Sequence, residues 1–380
     1  MKSMAEIALR SAREVIFGSG VRAQVGRHAA LLGSHALVVC GRRALQQSGA
    51  LDELREHLAD AGVAAEVFAQ VEAEPSLDTV ERGREAFAGA GCDLVVAAGG
   101  GSALDVGKSI AALAPHPEPV GHYFSGAEIT GQGRPCIALP TTSGTGAEVT
   151  PNSVLTDTSS GTKASIRGHA LLPEVALVDP ELTLTCPPDQ TAYSGLDALT
   201  QAIEAHVSLG ANPVSDPMCE EAVRRIAGAL RTAVANGGTL AAREDMALGS
   251  LLAGLALASA RLGLVHGLAH PLGALYHLPH GRVCGALLPR VMHYNLAAAA
   301  DKYRHLAQML GVGDNAEELV AWAGELVRDL DADLDFGEAG LKAEDFDRII
   351  PPTLASGSSR HNPRPPDAQG VRELLMGLIS

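Results

Sequence analysis

The sequence predicts a parallel-sheet α/β domain followed by an all-helical domain. Three observations lead there. Short, almost wholly apolar runs alternate with amphipathic stretches over the first half, as in a parallel sheet covered on both faces. Strand signals vanish beyond about Asp179. Long Ala-, Leu- and Glu-rich segments with helical periodicity fill the rest. The chain has 380 residues, more than one hydrophobic core normally organises, which agrees with two domains.

In chain order, residues 36–40 (ALVVC) form a short strand after a Gly-Ser turn, and residues 51–61 an amphipathic helix. Residues 63–68 are strand-like, 77–90 helical, and 94–98 (LVVAA) an apolar strand. Residues 136–139 and 175–178 add strands. The prolines from Asp179-Pro180 to Pro187-Pro188 mark a boundary, which puts the α/β domain at 1–180 and the helical domain at 181–380. Residues 195–208, 216–235, 243–270 and 316–330 are helices by period and composition. The Ser/Pro-rich residues 356–366 form a loop before a last helix.

Composition narrows the function. The net charge of −15 repels nucleic acid and anionic lipid, so neither is an expected partner. Aromatic residues are only 3%, so packing rests on Ala, Leu, Val and Gly. The 42 glycines sit in short clusters between apolar runs, which suits tight turns and phosphate loops better than a linker. Cys40, Cys92, Cys136, Cys186, Cys219 and Cys284 form no CxxC pair and are read as reduced, buried thiols. Charges at Lys2, Glu6, Arg10, Arg13 and Glu14 leave no apolar signal core. The longest uncharged apolar stretch, residues 247–260, falls short of the roughly 20 residues a membrane span needs. A soluble, cytoplasmic enzyme is the expected class.

The strand at 94–98 runs into Gly99-Gly100-Gly101-Ser102 and then a helix through Asp105 and Lys108. Glycines let the backbone approach a diphosphate, and the amides and dipole at a helix start favour an anion. The pattern is neither GxGxxG nor a Walker loop. A plain tight turn is the other reading, though three consecutive glycines exceed what a turn needs. A second small-residue loop, Pro140 to Glu148 (PTTSGTGAE), also follows a strand. Its hydroxyls and amides suit phosphate or ribose oxygens, and equally a helix cap. Lys163 offers a charge for a phosphate or is simply a solvated lysine.

In the helical half, Asp197 and Gln201 are four apart and share a helix face. His266 and His270 are also four apart, with His277 and His280 close behind. A carboxylate with imidazoles suits Fe²⁺ or Zn²⁺. Several imidazoles in an apolar helix cost desolvation unless something binds them. For any one of these histidines, a satisfied core position is the simpler reading; the set with Asp197 favours a metal or active site.

Four segments, GGGSALDVGK, PTTSGTGAEVT, GLDALTQAIEAHVS and VHGLAHPLGALYHLPHG, resemble successive signatures of the iron-containing (group III) alcohol dehydrogenases, in family order and at family spacing. The similarity runs from about Val15 to the final helix and includes the Asn362-Pro363-Arg364 turn. The resemblance implies a dehydroquinate-synthase-like fold, with a dinucleotide domain, a helical metal domain and an active site in the cleft between. It implies pyrophosphate contacts at Gly100, Gly101 and Ser102 and further cofactor contacts at Thr141, Thr142 and Lys163. It places Asp105 close to the nicotinamide, Asp197, His266 and His280 as metal ligands, and His270 as a cleft histidine. The expected partners are a small alcohol or carbonyl substrate and a second copy of the chain, as a homodimer.

Two departures from the family pattern shape the expectations. Many members carry His four residues after the ligand aspartate; here Gln201 stands there, an amide that is a poorer donor to Fe²⁺ or Zn²⁺. Members that prefer NAD often carry Asp after the first strand, to bond the adenosine ribose. Here Gly41 takes that place, followed by Arg42 and Arg43, which can bind a 2′-phosphate and so favour NADP. The expected mechanism is hydride transfer between a carbinol carbon and NADP or NAD, with the metal as Lewis acid and His270 in the proton relay. Open beside it are a metal-independent reductase of the maleylacetate reductase type, a dehydroquinate synthase-like lyase and a catalytically silent nucleotide-binding protein.

Overall fold

Leu94–Gly99 is apolar enough to be covered on both faces, and all six of its residues are buried. It lies inside a six-stranded sheet in the computed structural model, which describes residues 6–379; the charge at Lys2 lies outside the described residues. The strands are β1 (Glu14–Phe17), β2 (His35–Gly41), β3 (Ala64–Val71), β4 (Leu94–Gly99), β5 (Cys136–Pro140), β6 (Asn152–Asp157), β7 (Thr162–Arg167) and β8 (Val175–Val178). The large sheet has the order β1-β8-β5-β4-β2-β3, and its pairings are parallel. β6 and β7 form a separate antiparallel pair.

The chain divides into two compact units. The first holds Arg10–Cys186 with Gly237–Ala247; the second holds Pro187–Asn236 and the chain from Leu248 onward. In the first unit, α1 (Val25–Leu32), α2 (Ala44–Gln47), α3 (Ala50–Asp60), α4 (Leu77–Gly89), α5 (Gly101–Leu113) and α6 (Val120–Phe124) connect the strands. Alternation along β2 and β4 makes two cores. Val38 and Val96 pack with Val25, Leu54 and Leu58 of α1 and α3. Leu37, Val39, Val95 and Ala97 pack with Val80 and Phe87 of α4 and with Val106 and Ile110 of α5. Gly107 lets α5 press on β4, because a Cβ there would stand 2.4 Å from that of Ala97.

The strands expected at 36–40, 63–68, 94–98, 136–139 and 175–178 are all present within a residue or three. β1 and the β6–β7 pair were not expected. β1 has only four residues, and β7 (TKASIR) has no apolar run from which to read it.

The second unit is helical: α7 (Pro188–Val207), α8 (Ser215–Ala235), α9 (Leu240–Ala260) from Leu248 onward, its residues through Ala247 belonging to the first unit, α10 (Leu264–Tyr276), α11 (His280–Leu310), α12 (Ala316–Asp329), α13 (Phe346–Ala355) and α14 (Ala368–Met376). The single helix expected over 243–270 is two helices, α9 and α10, bent by 105°. Arg261 adopts a positive φ of 70° at the break, and Gly263 caps the second helix. Hydrophobicity continues across the bend, so periodicity alone does not reveal it. Nor did the sequence reading include the 31-residue α11, which carries Pro289 in its interior. Among the described residues no single helix is long and apolar enough to cross a membrane; α9 and α10 meet that measure only as a bent pair.

Candidate cofactor cradle and metal centre

From β2 the chain steps outward to β3, then reverses to β4 on the other side of β2 and continues through β5 to β8. The carboxyl ends of β2 and β4 flank that reversal, and ligands of open α/β sheets bind in the crevice there. Gly41 closes β2 and Gly99 closes β4. Gly100 is the N-cap of α5 in an extended conformation with no side-chain cap, so the first amides of α5 are not claimed by a capping side chain. The two loops read as separate cradles in the sequence come together here. A Cβ on Gly100 would meet Thr142 at 3.5 Å, and one on Gly101 would meet the Thr145 side chain at 2.7 Å. Thr141 donates its N–H to the Gly99 carbonyl at 2.9 Å. Gly100, Gly101, Ser102, Thr141 and Thr142 are all half-buried, while Arg42 and Arg43 beyond Gly41 are exposed. Lys163 on β7 is ion-paired with Glu74 rather than merely solvated.

Behind the cradle lies a buried charge cluster that sequence reasoning missed. The Lys108 ammonium is fully buried and donates to the carbonyls of Ala147 (2.8 Å), Thr150 (3.2 Å) and Asn152. It stands 3.3 Å from Asp105, whose other carboxylate oxygen accepts the Val154 N–H at 2.9 Å. Asp105 is thus pinned between α5 and β6, and burial raises its pKa against the attraction of Lys108. The i, i+3 spacing of Asp105 and Lys108 was the available signal.

Glu148 is buried in the second loop. Burial pushes its carboxyl up to about 7, opposed by a backbone hydrogen bond and by the charge of Lys108. Its folded pKa lies above the ordinary 4.5, so between those values the folded state holds the extra proton. Stability therefore falls as pH rises from 4.5 through 7, by about 3 kcal/mol for the full shift. Glu148→Gln removes that titration. Its melting temperature, relative to the parent, is expected to climb between pH 5 and pH 8 in calorimetry; an offset independent of pH would refute the assignment.

The second unit carries the metal cluster. On α7, Asp197, Gln201 and Glu204 follow one another along one buried face. On α10, His266 turns its Nδ1 to Glu204 at 2.6 Å and its Nε2 to Asp197 at 3.2 Å. Glu204 is held in turn by the Val265 N–H at 2.6 Å. On α11, His280 Nε2 stands 3.9 Å from Asp197, and the His266 and His280 rings lie 5.6 Å apart. Glycine lets α11 come this close to α7. A Cβ on Gly281 would meet the Tyr193 carbonyl at 2.1 Å, and one on Gly285 would meet Leu196 at 2.7 Å. Cys284, fully buried one turn after His280, joins Asp197, His266 and His280 in a group whose ligand atoms all lie within 4.8 Å of one another. The His270 ring is 5.4 Å from that of His280.

These groups suit a divalent cation. Burial would raise the pKa of Asp197, but the hydrogen bond to His266 and the charges of His280 and His266 hold it down. Burial would lower that of His266, yet Asp197 and Glu204 bring it to about 10. The centre thus places two buried carboxylates around one imidazole, an excess of negative charge that a cation offsets. The Glu204–His266 bond leaves Nε2 to face Asp197, the arrangement in which an outer carboxylate orients a metal-binding imidazole. The buried Gln201 side-chain oxygen has no hydrogen-bond partner. Sequence reasoning missed Glu204 and Cys284, although their spacings, seven from Asp197 and four from His280, place them on the ligand faces of α7 and α11.

Comparison with known proteins places the whole chain. Residues 12–180 match the family described as iron-containing alcohol dehydrogenase, and residues 191–378 match the C-terminal region of the Fe-containing alcohol dehydrogenase family. A 1,3-propanediol dehydrogenase of Citrobacter freundii is 39% identical over 369 residues, covering 94% of this chain and 95% of its own. A solved 1,3-propanediol oxidoreductase superposes with a TM-score of 0.94 at 37% identity, covering 98% of this chain and 100% of that one. The sulfoacetaldehyde reductase of Bifidobacterium kashiwanohense, solved in complex with NAD⁺, superposes with a TM-score of 0.92 at 29% identity, covering 99% of this chain and 100% of its own. The parallel sheet, the helical second unit and this end-to-end likeness agree: the chain belongs to the iron-containing alcohol dehydrogenase family and is an oxidoreductase of small alcohols and their carbonyl counterparts.

Proposed function

We propose that the chain transfers hydride between a small alcohol and NADP or NAD with the help of one divalent ion, Fe²⁺ or Zn²⁺, held by Asp197, His266 and His280 with Gln201 as a weak further ligand. The buried His266, clasped between Asp197 and Glu204, carries this reading. The ion supplies Lewis-acid polarisation of the substrate oxygen. Asp197 contributes the negative charge that retains it, and Glu204 fixes the tautomer and orientation of His266. His270 is the proton relay, exchanging a proton with the substrate oxygen. Gly100, Gly101 and Ser102 cradle the diphosphate through α5 amides, and Thr141, Thr142 and Lys163 bind further cofactor oxygens. Asp105, pinned by Lys108 and the Val154 N–H, stands by the nicotinamide. A domain division at 180/181, six residues before the compact units change at Cys186, a cytoplasmic setting and a homodimer belong to the same reading. Five of the six cysteines are buried and none forms a disulfide, as in a reducing compartment. The large sheet ends on β1 and β3, and an edge strand can pair with a second copy. Metal analysis of the purified protein, with an aldehyde and alcohol panel run with both cofactors, tests the whole. Full turnover in strong chelator with no metal present would leave the metal-independent reductase in its place.

Cofactor choice gives a sharper test. Gly41 lies at the carboxyl end of β2, and a Cβ there would find only the Val71 carbonyl, at 3.8 Å. An aspartate therefore fits, and its charge repels a 2′-phosphate. Gly41→Asp is expected to shift the NADP/NAD ratio of kcat/KM toward NAD by about ten- to a hundredfold. A parent enzyme that already strongly prefers NAD would refute the role given to Arg42 and Arg43.

A further inference from the structure

We infer that the Cys284 thiolate is a ligand of the divalent ion, so that the protein set is Asp197, His266, His280 and Cys284. This rests on the metal reading above and departs from it at one position. Cys284 is fully buried, and its Sγ lies 3.6 Å from His280 Nε2. Around a tetrahedral Zn²⁺, with Zn–S of about 2.3 Å and Zn–N of about 2.0 Å, sulfur and nitrogen ligands stand roughly 3.5 Å apart. The 3.2 Å between His266 Nε2 and Asp197 Oδ1 is likewise a ligand-to-ligand spacing. All four donors lie within 4.8 Å of one another, in a group drawn from α7, α10 and α11.

Gln201 supplies the reason for a fourth donor. Its side-chain oxygen is buried with no hydrogen-bond partner, and an amide oxygen is a weak donor to a borderline ion. A thiolate is a strong one. Gly285, against Leu196, brings this turn of α11 onto α7 and so carries Cys284 to the cluster. On binding, the thiol S–H gives its proton to solvent and sulfur becomes the anionic donor. One carboxylate, two imidazoles and one thiolate select Zn²⁺ or Co²⁺ over Fe²⁺.

Cobalt(II) titration of the metal-free enzyme tests this. The parent is expected to bind one equivalent and show a near-ultraviolet thiolate-to-cobalt band beside the visible d–d bands. Cys284→Ser is expected to keep the d–d bands, lose the thiolate band and bind cobalt at least about tenfold more weakly. Adding Gln201→His to Cys284→Ser is expected to recover affinity without the thiolate band. On the zinc-loaded parent, X-ray absorption is expected to show one sulfur at about 2.3 Å. One bound cobalt with no thiolate band, or a band that survives Cys284→Ser, overturns the thiolate alone and leaves the Asp–His site standing. A parent that binds no cobalt removes both.

Discussion

His266→Ala is expected to release the divalent ion and lower kcat by about 10²–10³-fold, the range found when a group stabilising developing charge is removed. The side chain meets Asp197 through one nitrogen and Glu204 through the other, all three buried. Truncation removes an ion ligand and also leaves two buried carboxylates without their imidazole. Breaking a buried pair from one side costs about 3–5 kcal/mol, so a lower melting temperature is expected as well. The two effects separate through Glu204→Gln. That variant keeps the volume and a hydrogen bond to His266 but removes the orienting charge, and it is expected to bind the ion about 10–100-fold more weakly while remaining folded. Elemental analysis, steady-state kinetics and thermal melting of both variants decide the matter. A folded His266→Ala protein with full metal content and unchanged kcat would refute the assignment.

How much of this was legible in the sequence follows from what each residue depends on. β4 could be read from LVVAA because a strand covered on both faces is apolar throughout, and its burial bears that out. The glycine loop was legible because close backbone approach demands glycine, and the contact of Gly101 with Thr145 shows how little room is left. The bend between α9 and α10 was not legible. It depends on one residue, Arg261, in a left-handed conformation within an apolar run. Nor was Glu204, because a glutamate on a helix is usually solvated, and only the folded position of Val265 and His266 gives it partners. Lys108 belongs to the same class. Its burial makes sense only once the carbonyls of Ala147, Thr150 and Asn152 are brought around it by the second loop. Local chemistry could be read directly, whereas groups defined by partners far along the chain required the fold.

Gly101→Val is expected to raise the dissociation constant for the nicotinamide cofactor by about 10²–10⁴-fold, corresponding to two lost charge-assisted hydrogen bonds of about 1.5–3 kcal/mol each. Gly101 is the first residue of α5, immediately after the Gly100 N-cap. A diphosphate bound there must approach the first amides of the helix, and a branched side chain at that residue stands in its way. The protein adds a second constraint. A Cβ at Gly101 would lie 2.7 Å from the Thr145 methyl and 2.8 Å from its hydroxyl, so valine must also displace the second loop. Thr145 is exposed, so its side chain is expected to yield toward solvent, opening the cradle while the variant stays folded. Gly100→Ala separates the two constraints, because its Cβ meets Thr142 only at 3.5 Å, an ordinary contact. That variant is expected to melt like the parent and to weaken cofactor binding less than Gly101→Val does. The ion, held by residues of α7, α10 and α11, is expected to remain at parental content in both. Titration by cofactor fluorescence gives the affinities, and elemental analysis the metal. A folded Gly101→Val enzyme that binds cofactor as tightly as the parent would mean that the diphosphate is held elsewhere than at the start of α5.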